Sequence, residues 1–392
     1  MSSKCSKWSK WTSLIIGATM LTTLLAGCGG GAKQEAKEIK IGANFELTGN
    51  VAQYGSSALN GIKLAFKEAN AGGGVLGKQL TLVVADNKSE ASEAANAATK
   101  LITQDKVVAI LGPATSSNVL ATTPIVESNK IPLITPTGTN PMLTFKDGKL
   151  NAYVFRACFI DPFQGTIMAN FAANTLKAKT AAIYVDSSSD YSKSLQTVFE
   201  ENFTKHGGKV VAKEAYLQKD QDFKAALTKI KASNPDVLFV PGYYEEVSKI
   251  IKQARELGLN IPIIGTDGWD SPKLAEMAGP AALNNTYFSN HYSTEDKDPR
   301  VVKFVEAYSK EYGQVPDAFA ALGYDGAIML IDAIKRAGSA EPTKIKEALE
   351  KTANLQVVTG TLSVDAQHNP VKSAVIIEMK DGKQTFKEKV NP

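Results

Sequence analysis

Residues 107–135 read VVAILGPATSSNVLATTPIVESNKIPLIT. Val107–Leu111 is apolar at every position, so a strand there is buried on both faces. Gly112-Pro113-Ala114-Thr115-Ser116-Ser117 ends the run and opens a helix near Val119–Ser128, after which Pro132–Ile134 is a strand again. Unalternating strands separated by a helix are the sequence form of a parallel sheet covered by helices on both faces.

The pattern extends in both directions. Upstream, Ile39–Phe45 and Leu80–Ala85 are strands, Ser57–Ala69 is a helix with Leu59, Ile62 and Phe66 on one face, and Ala91–Gln104 is an Ala-rich helix. After Arg156 the alternation restarts. Helices at Phe163–Leu176, Ser192–His206, Phe223–Ala232 and Val247–Leu257 interleave with strands at Ala181–Val185, Val210–Tyr216, Val237–Val240 and Ile261–Ile264. Two successive α/β units of about 120–130 residues each result. Helices then follow at Pro299–Tyr312, Ala318–Arg336 and Thr343–Lys351, with strand-like runs at Gln356–Val364 and Val371–Met379 and a turn at Asp381-Gly382.

The N-terminus carries a different message. Lys4, Lys7 and Lys10 precede an uncharged, largely apolar run from Trp11 to Leu25, shorter than the roughly twenty residues a spanning helix needs. Residues 1–27 read as a secretory signal peptide. Leu25-Ala26-Gly27-Cys28 resembles the bacterial lipobox, which makes Cys28 the acylated mature N-terminus and residues 28–37 a Gly-rich tether. The expected location is extracytoplasmic, lipid-anchored to the bacterial cell membrane. Loss of residues 1–27 takes the 44 basic side chains to 41 against 40 acidic ones, which gives no electrostatic basis for binding nucleic acid.

Catalytic chemistry finds little support. Cys5 leaves with the signal and Cys28 carries lipid, so Cys158 stands alone and the mature chain can form no internal disulfide. Its strand-like setting, Tyr153–Phe159, suits a small buried apolar residue better than a nucleophile. Gly72-Gly73-Gly74-Val75-Leu76-Gly77-Lys78 resembles the opening of a P-loop, but Gln79 stands where Ser or Thr would bind Mg²⁺. The segment also runs from helix to strand, the reverse of a P-loop, and is a Gly-rich turn. There is no G-x-S-x-G elbow and no H-E-x-x-H motif, and His206, His291 and His368 lack metal-ligand spacing. Neither an enzyme nor a cofactor or metal is expected.

The strand-end loops carry more information, because ligands of open α/β sheets bind there. Leu47–Gly55 follows the first strand, and the hydroxyl- and glycine-rich runs Gly112–Ser117 and Thr135–Asn140 follow two others. Free N–H groups with Ser116 and Ser117 at a helix start suit a carboxylate, though each loop alone is also explained by helix capping. In the second unit the corresponding loops are Ser187–Tyr191, Pro241–Tyr244 and Gly265–Trp269. They offer aromatic walls and one negative charge, Asp267, which suits an ammonium and alone would also suit a turn.

Taken in order, Thr48-Gly49-x-x-Ala52-x-Tyr54-Gly55, Asn70-Ala71-Gly72-Gly73, Ile134-Thr135-Pro136, Arg156-x-x-x-x-Asp161-x-x-Gln164-Gly165, Gly242-Tyr243 and Gln253-Ala254-Arg255-x-x-Gly258 resemble the branched-chain amino acid-binding proteins of ABC importers. These belong to the type I periplasmic binding protein superfamily. The resemblance implies two Rossmann-like lobes with parallel-rich sheets flanked by helices, joined by a three-crossover hinge. Residues 38–157 plus 292–363 would form lobe 1 and residues 158–291 plus 364–392 lobe 2. It implies a ligand carboxylate at Ser116, Thr137 and Thr139, and an ammonium at Asp267 and Thr139. Tyr54, Tyr191, Tyr243, Trp269 and Phe319 would line the pocket.

Two departures stand out. Members of the family often have glutamate where this chain has Asp267, and a disulfide cysteine where it has Thr115. The expected function is capture of an aliphatic or other neutral amino acid by hinge closure. A monomer would then deliver it to an ABC permease. The alternatives are a non-amino carboxylate or small amide in the same fold, or a ligand-sensing receptor.

Overall fold

The first sheet grows from the apolar runs that opened the sequence reading. It comprises β1 (Glu38–Phe45), β2 (Gln79–Asp86), β3 (Ala109–Leu111), β4 (Leu133–Thr135) and β5 (Val154–Arg156). Its order is β2-β1-β3-β4-β5 and all pairs are parallel. Helices α1 (Ala52–Ala71), α2 (Ala91–Thr103) and α3 (Ser116–Asn129) connect these strands. The computed structural model describes residues 38–391; the signal peptide, Cys28 and the tether of residues 28–37 lie outside the described residues.

The second sheet contains β6 (Thr180–Asp186), β7 (Lys209–Tyr216), β8 (Val237–Phe239), β9 (Ile263–Gly265), β10 (Thr286–Asn290), β11 (Ala374–Lys380) and β12 (Lys383–Val390), in the order β12-β11-β10-β9-β8-β6-β7. The pairs from β10 to β7 are parallel, and β11 and β12 add an antiparallel edge. Its helices are α4 (Asp161–Asn170), α5 (Asp190–Lys205), α6 (Lys224–Ala232), α7 (Tyr244–Glu256) and α8 (Pro272–Ala278). The chain then returns to the first sheet with α9 (Pro299–Tyr312), α10 (Ala318–Ala337) and α11 (Pro342–Glu350).

Helix α10 lies against α1 and β4. The contact with α1 is close because Gly61 and Gly323 face the opposite backbone. A Cβ at Gly61 would sit 2.0 Å from the Ala320 carbonyl oxygen, and one at Gly323 would sit 2.2 Å from that of Ala58. This closeness brings Tyr54 of α1 and Phe319 of α10 into a parallel stack with centroids 4.0 Å apart.

The chain passes between the sheets at residues 157–160, 291–298 and 363–373. A buried ion pair ties the first and third of these passages to α10. Lys372 Nζ donates to the Ala157 carbonyl at 2.9 Å and stands 3.8 Å from Asp325 Oδ2. Asp325 in turn accepts the N–H groups of Val358 at 2.7 Å and Thr359 at 3.1 Å. A buried charge survives in such a place only when paired and hydrogen-bonded.

Several sequence expectations change in detail. Gln356–Val364 is not one strand but a hairpin of Leu355–Val357 and Gly360–Leu362. The helix expected over Phe163–Leu176 ends at Asn170 and continues as a π-helical turn, Phe171–Thr175. Strands β10 and β12 and helix α8 had no sequence signal. Thr286-Tyr287-Phe288-Ser289-Asn290 is short and largely polar although all five residues are buried, and the Lys-rich β12 is an exposed edge.

Candidate functional site

Parallel strands place their C-terminal ends along one edge, so the loops after β1, β3 and β4 converge. A residue the sequence reading passed over stands at their centre. Glu46 is fully buried, and its carboxylate accepts the N–H groups of Ala114 at 3.0 Å and Thr115 at 3.1 Å. It also accepts the Thr115 hydroxyl at 2.8 Å and the Asn118 amide at 2.8 Å. The N-terminus of α3 therefore already holds one protein carboxylate, in the position that the helix dipole favours for an anion. The N–H groups of Ser116 and Ser117 belong to the first turn, where no helical acceptor exists.

The loop after β4 is pinned to the loop after β3. Thr135 donates its hydroxyl to the Pro113 carbonyl at 2.7 Å and Thr137 donates to that of Ala114 at 2.8 Å. Ser116 Oγ accepts the N–H of Asn140 at 3.3 Å. Arg156, buried at the end of β5, grips the loop from behind, with Nη1 on the Gly138 carbonyl at 2.8 Å and Nη2 on that of Asn140 at 2.9 Å. Thr137 thus spends its hydroxyl inside the scaffold. The Thr139 hydroxyl is buried with no hydrogen-bond partner at ordinary distance among the described residues, and it lies near enough to the Asp161 carboxyl to act on it.

Asp267 opens a 3₁₀ turn after β9, on the facing edge of the second sheet. Tyr191 donates its hydroxyl to Asp267 Oδ1 at 2.7 Å and accepts the N–H of Gly268 at 3.0 Å. His291 Nε2 lies 2.9 Å from Asp267 Oδ2. The imidazole stacks on Phe159, centroids 3.7 Å apart, and its Nδ1 is buried without a partner among the described residues. Burial holds the imidazole below its ordinary pKa, against the pull of Asp267. An unpartnered Nδ1 is tolerated as a lone pair far better than as a buried N–H. The proton therefore sits on Nε2 and the ring is neutral.

The two edges meet. Tyr54 donates its hydroxyl to the Gly268 carbonyl and accepts the N–H of Tyr244 at 3.2 Å. Asn140 Nδ2 donates to the Asp190 carbonyl at 2.9 Å, Ser117 Oγ to Asp190 Oδ2 at 3.1 Å, and Asn50 Nδ2 to Glu246 Oε1 at 2.8 Å. Tyr191 and Tyr243 stack at 5.1 Å, and Tyr54 meets Tyr243 edge-on at 5.6 Å. Between the edges, Asn50, Thr115, Ser117, Ser188, Gln218 and Tyr243 help to line a cavity of about 190 Å³.

Of the residues singled out from sequence, Ser116, Thr137 and Thr139 share one edge, Asp267, Tyr191 and Tyr243 share the other, and Tyr54 and Phe319 stack beside the junction. Trp269 goes elsewhere: it is fully buried, packed on Gly265, and its Nε1 donates to the Val240 carbonyl at 3.0 Å. The other histidines have structural partners. His206 closes α5 and His368 Nδ1 lies 2.9 Å from the Val154 carbonyl. Cys158 is buried and its thiol is pushed up to about 12, so it holds its proton at neutral pH.

Asp161 offers a test of the site's electrostatics. Burial pushes its carboxyl up to about 7; the nearby Thr139 hydroxyl opposes the shift and the Asp267 charge adds to it. The native state thus favours the protonated form. That contribution is complete below the ordinary carboxyl pKa and is lost as pH rises through about 7. Asp161→Asn, neutral throughout, is expected to gain stability relative to the parent as pH rises from about 4 to about 8. Urea midpoints of both proteins across that range check it, and a difference independent of pH would reject it.

A profile of the family described as periplasmic binding protein matches residues 38–384. The Leu/Ile/Val-binding protein homolog 2 of Brucella abortus is 30% identical over 358 residues, covering 90% of this chain and 94% of the relative. The branched-chain amino acid transporter substrate-binding protein LivJ of Streptococcus pneumoniae, solved in complex with isoleucine, superposes with a TM-score of 0.86 at 41% identity, over 91% of this chain and 100% of that one. A solute-binding protein of an ABC transporter from R. palustris, solved with benzoate, superposes with a TM-score of 0.83 at 25% identity, over 91% and 97% of the two chains. Among the described residues, no helix is long and apolar enough to cross a membrane, and no cluster of three or more His, Cys, Asp or Glu could hold a metal ion.

Proposed function

This chain belongs to the periplasmic binding protein family, and from that premise we propose that it captures an aliphatic or other neutral amino acid outside the cytoplasm and delivers it to an ABC importer. The observation that carries the reading is the pairing of opposite binding chemistries across one cleft. The first-turn N–H groups of α3 and the Thr139 hydroxyl lie at the strand-end edge of the first sheet, and Asp267, a carboxylate whose own partners are both neutral, lies at that of the second. A zwitterion satisfies both edges at once. Opposite charges brought together in a dehydrated cleft interact more strongly than in water.

In this reading residues 38–157 plus 292–363 and residues 158–291 plus 364–392 move as two lobes about the three crossovers. The first holds the carboxylate, and closure adds Asp267, Tyr191 and Tyr243. Acylated Cys28 holds the protein, as a monomer, at the membrane near its permease.

A second ligand class has one observation in its favour. Both oxygens of Asp267 already have partners, so a carboxylate without an ammonium, such as the benzoate held by the R. palustris protein, meets an aromatic-walled cleft with no unsatisfied acid. It would still leave the Asp267 charge buried without a counter-charge, which favours the zwitterion.

A thermal-shift screen against amino acids, their deaminated analogues and small amides separates the two. A ligand that binds only the folded state stabilises it by about 2.7 kcal/mol at a hundredfold excess over Kd. Stabilisation by amino acids and not by their deaminated analogues is the expected result, and the reverse pattern would replace the ligand assignment.

A further inference from the structure

His291 belongs to no binding motif of the sequence, yet it touches the ligand-facing carboxylate and the hinge together. It opens the second crossover, at residues 291–298, and its Nε2 reaches Asp267 Oδ2 at 2.9 Å. Its ring lies on Phe159 of the first crossover, centroids 3.7 Å apart and planes 22° apart. Its own N–H donates to Asn290 Oδ1 at 2.8 Å, so the backbone that carries the ring is fixed as well. The opposite oxygen of Asp267 is held by Tyr191, whose hydroxyl also meets the Thr266 hydroxyl at 2.6 Å. The aspartate is clamped on both oxygens by neutral groups.

We propose that His291 is a positioning residue for ammonium recognition: a neutral donor that fixes the orientation of Asp267, leaves its charge for the ligand, and ties that carboxylate to two of the three crossovers. The inference rests on the amino acid reading given above. Two physical arguments carry it. An aspartate has one methylene, so its carboxylate meets a ligand at the right distance only if the side chain is held in a single rotamer, and two donors on opposite oxygens do that. A cationic partner would hold it equally well but would neutralise the charge that separates an amino acid from its deaminated analogue. The charged groups acting on the imidazole are Asp267 and Asp270, which favour its protonation, and Lys372, which opposes it; burial weighs on the same side as Lys372.

The test is a matched pair of amides, because glutamine places its N–H near the position of Nε2 and asparagine near that of Nδ1. Purified wild type, His291→Gln and His291→Asn are titrated calorimetrically with L-isoleucine and with 3-methylpentanoic acid, its deaminated analogue. His291→Asn is expected to lose roughly 10- to 100-fold in isoleucine affinity, the scale of one hydrogen bond to a charged group, with the analogue changed less than about threefold. His291→Gln is expected to recover most of the loss. A merely structural histidine would weaken both ligands alike, in step with the melting temperature of the unliganded protein, and that result overturns the proposal. So does a folded His291→Gln protein no better than His291→Asn. Wild type that binds the analogue and not isoleucine fails the amino acid reading itself, visibly before any variant is made, and the positioning role falls with it.

Discussion

Asp267→Ala is expected to weaken amino acid binding by about 2–5 kcal/mol, the usual cost of removing one partner of a buried charge pair. The residue is 3% exposed, so water cannot replace the lost carboxylate once the cleft has closed. The bound ammonium would keep the Thr139 hydroxyl and lose the only countercharge the proposed ligand contacts offer it. Tyr191 retains Thr266 as a partner at 2.6 Å, while the His291 Nε2 proton is left with none. Calorimetry on the purified variant measures the effect. A near-unchanged affinity would remove Asp267 from the ammonium site, and Asp267→Asn separates charge from shape, since it keeps the volume and loses the charge.

Arg156→Met is expected to cost about 3 kcal/mol or more of folding stability, because hydrogen bonds to a charged group contribute about 1.5–3 kcal/mol each and this guanidinium makes several. Its two terminal nitrogens hold the Gly138 and Asn140 carbonyls, and Nη2 also reaches the Thr144 hydroxyl at 3.2 Å. Methionine fills most of the volume and satisfies none of those acceptors. The same loop carries Thr137 and Thr139, so ligand affinity is expected to fall together with stability. Arg156→Lys is no remedy, since a single ammonium cannot reproduce a planar fork reaching two carbonyls. Urea unfolding with parallel calorimetry decides the matter, and a variant with wild-type midpoint and affinity would show that the clamp is dispensable.

The arrangement of the chain was legible because its central strands are buried on both faces and most of its helices on one. An unbroken run such as Val107–Leu111 has no polar alternation to confuse it, and the loops at the ends of such strands mark the binding edge without reference to side-chain detail. What escaped the sequence depends on partners distant in the chain. Glu46 acts through Ala114, Thr115 and Asn118, and His291 through Asp267 and Phe159, and nothing near either residue announces the meeting. The packing of Trp269 against Gly265 escaped the sequence for a related reason. An aromatic residue beside a strand-end turn can face either the cleft or the sheet, and the absence of a side chain at Gly265 is what lets it turn inward. Strand β12 escaped because an edge strand needs no apolar pattern, only a neighbour to pair with.

In the amino acid reading proposed above, the seat of Glu46 bears on how a captured solute would leave. The carboxylate of Glu46 already sits on the N–H groups of Ala114 and Thr115 just ahead of α3, so an arriving carboxylate would share the positive end of that helix with a resident acid. One half of the cleft alone then offers only a shallow well. Depth comes when the opposing edge closes, and it disappears when that edge withdraws. On that reading a receptor built this way would need no competing ligand to empty it: prising the two edges apart would be enough to unload the cargo.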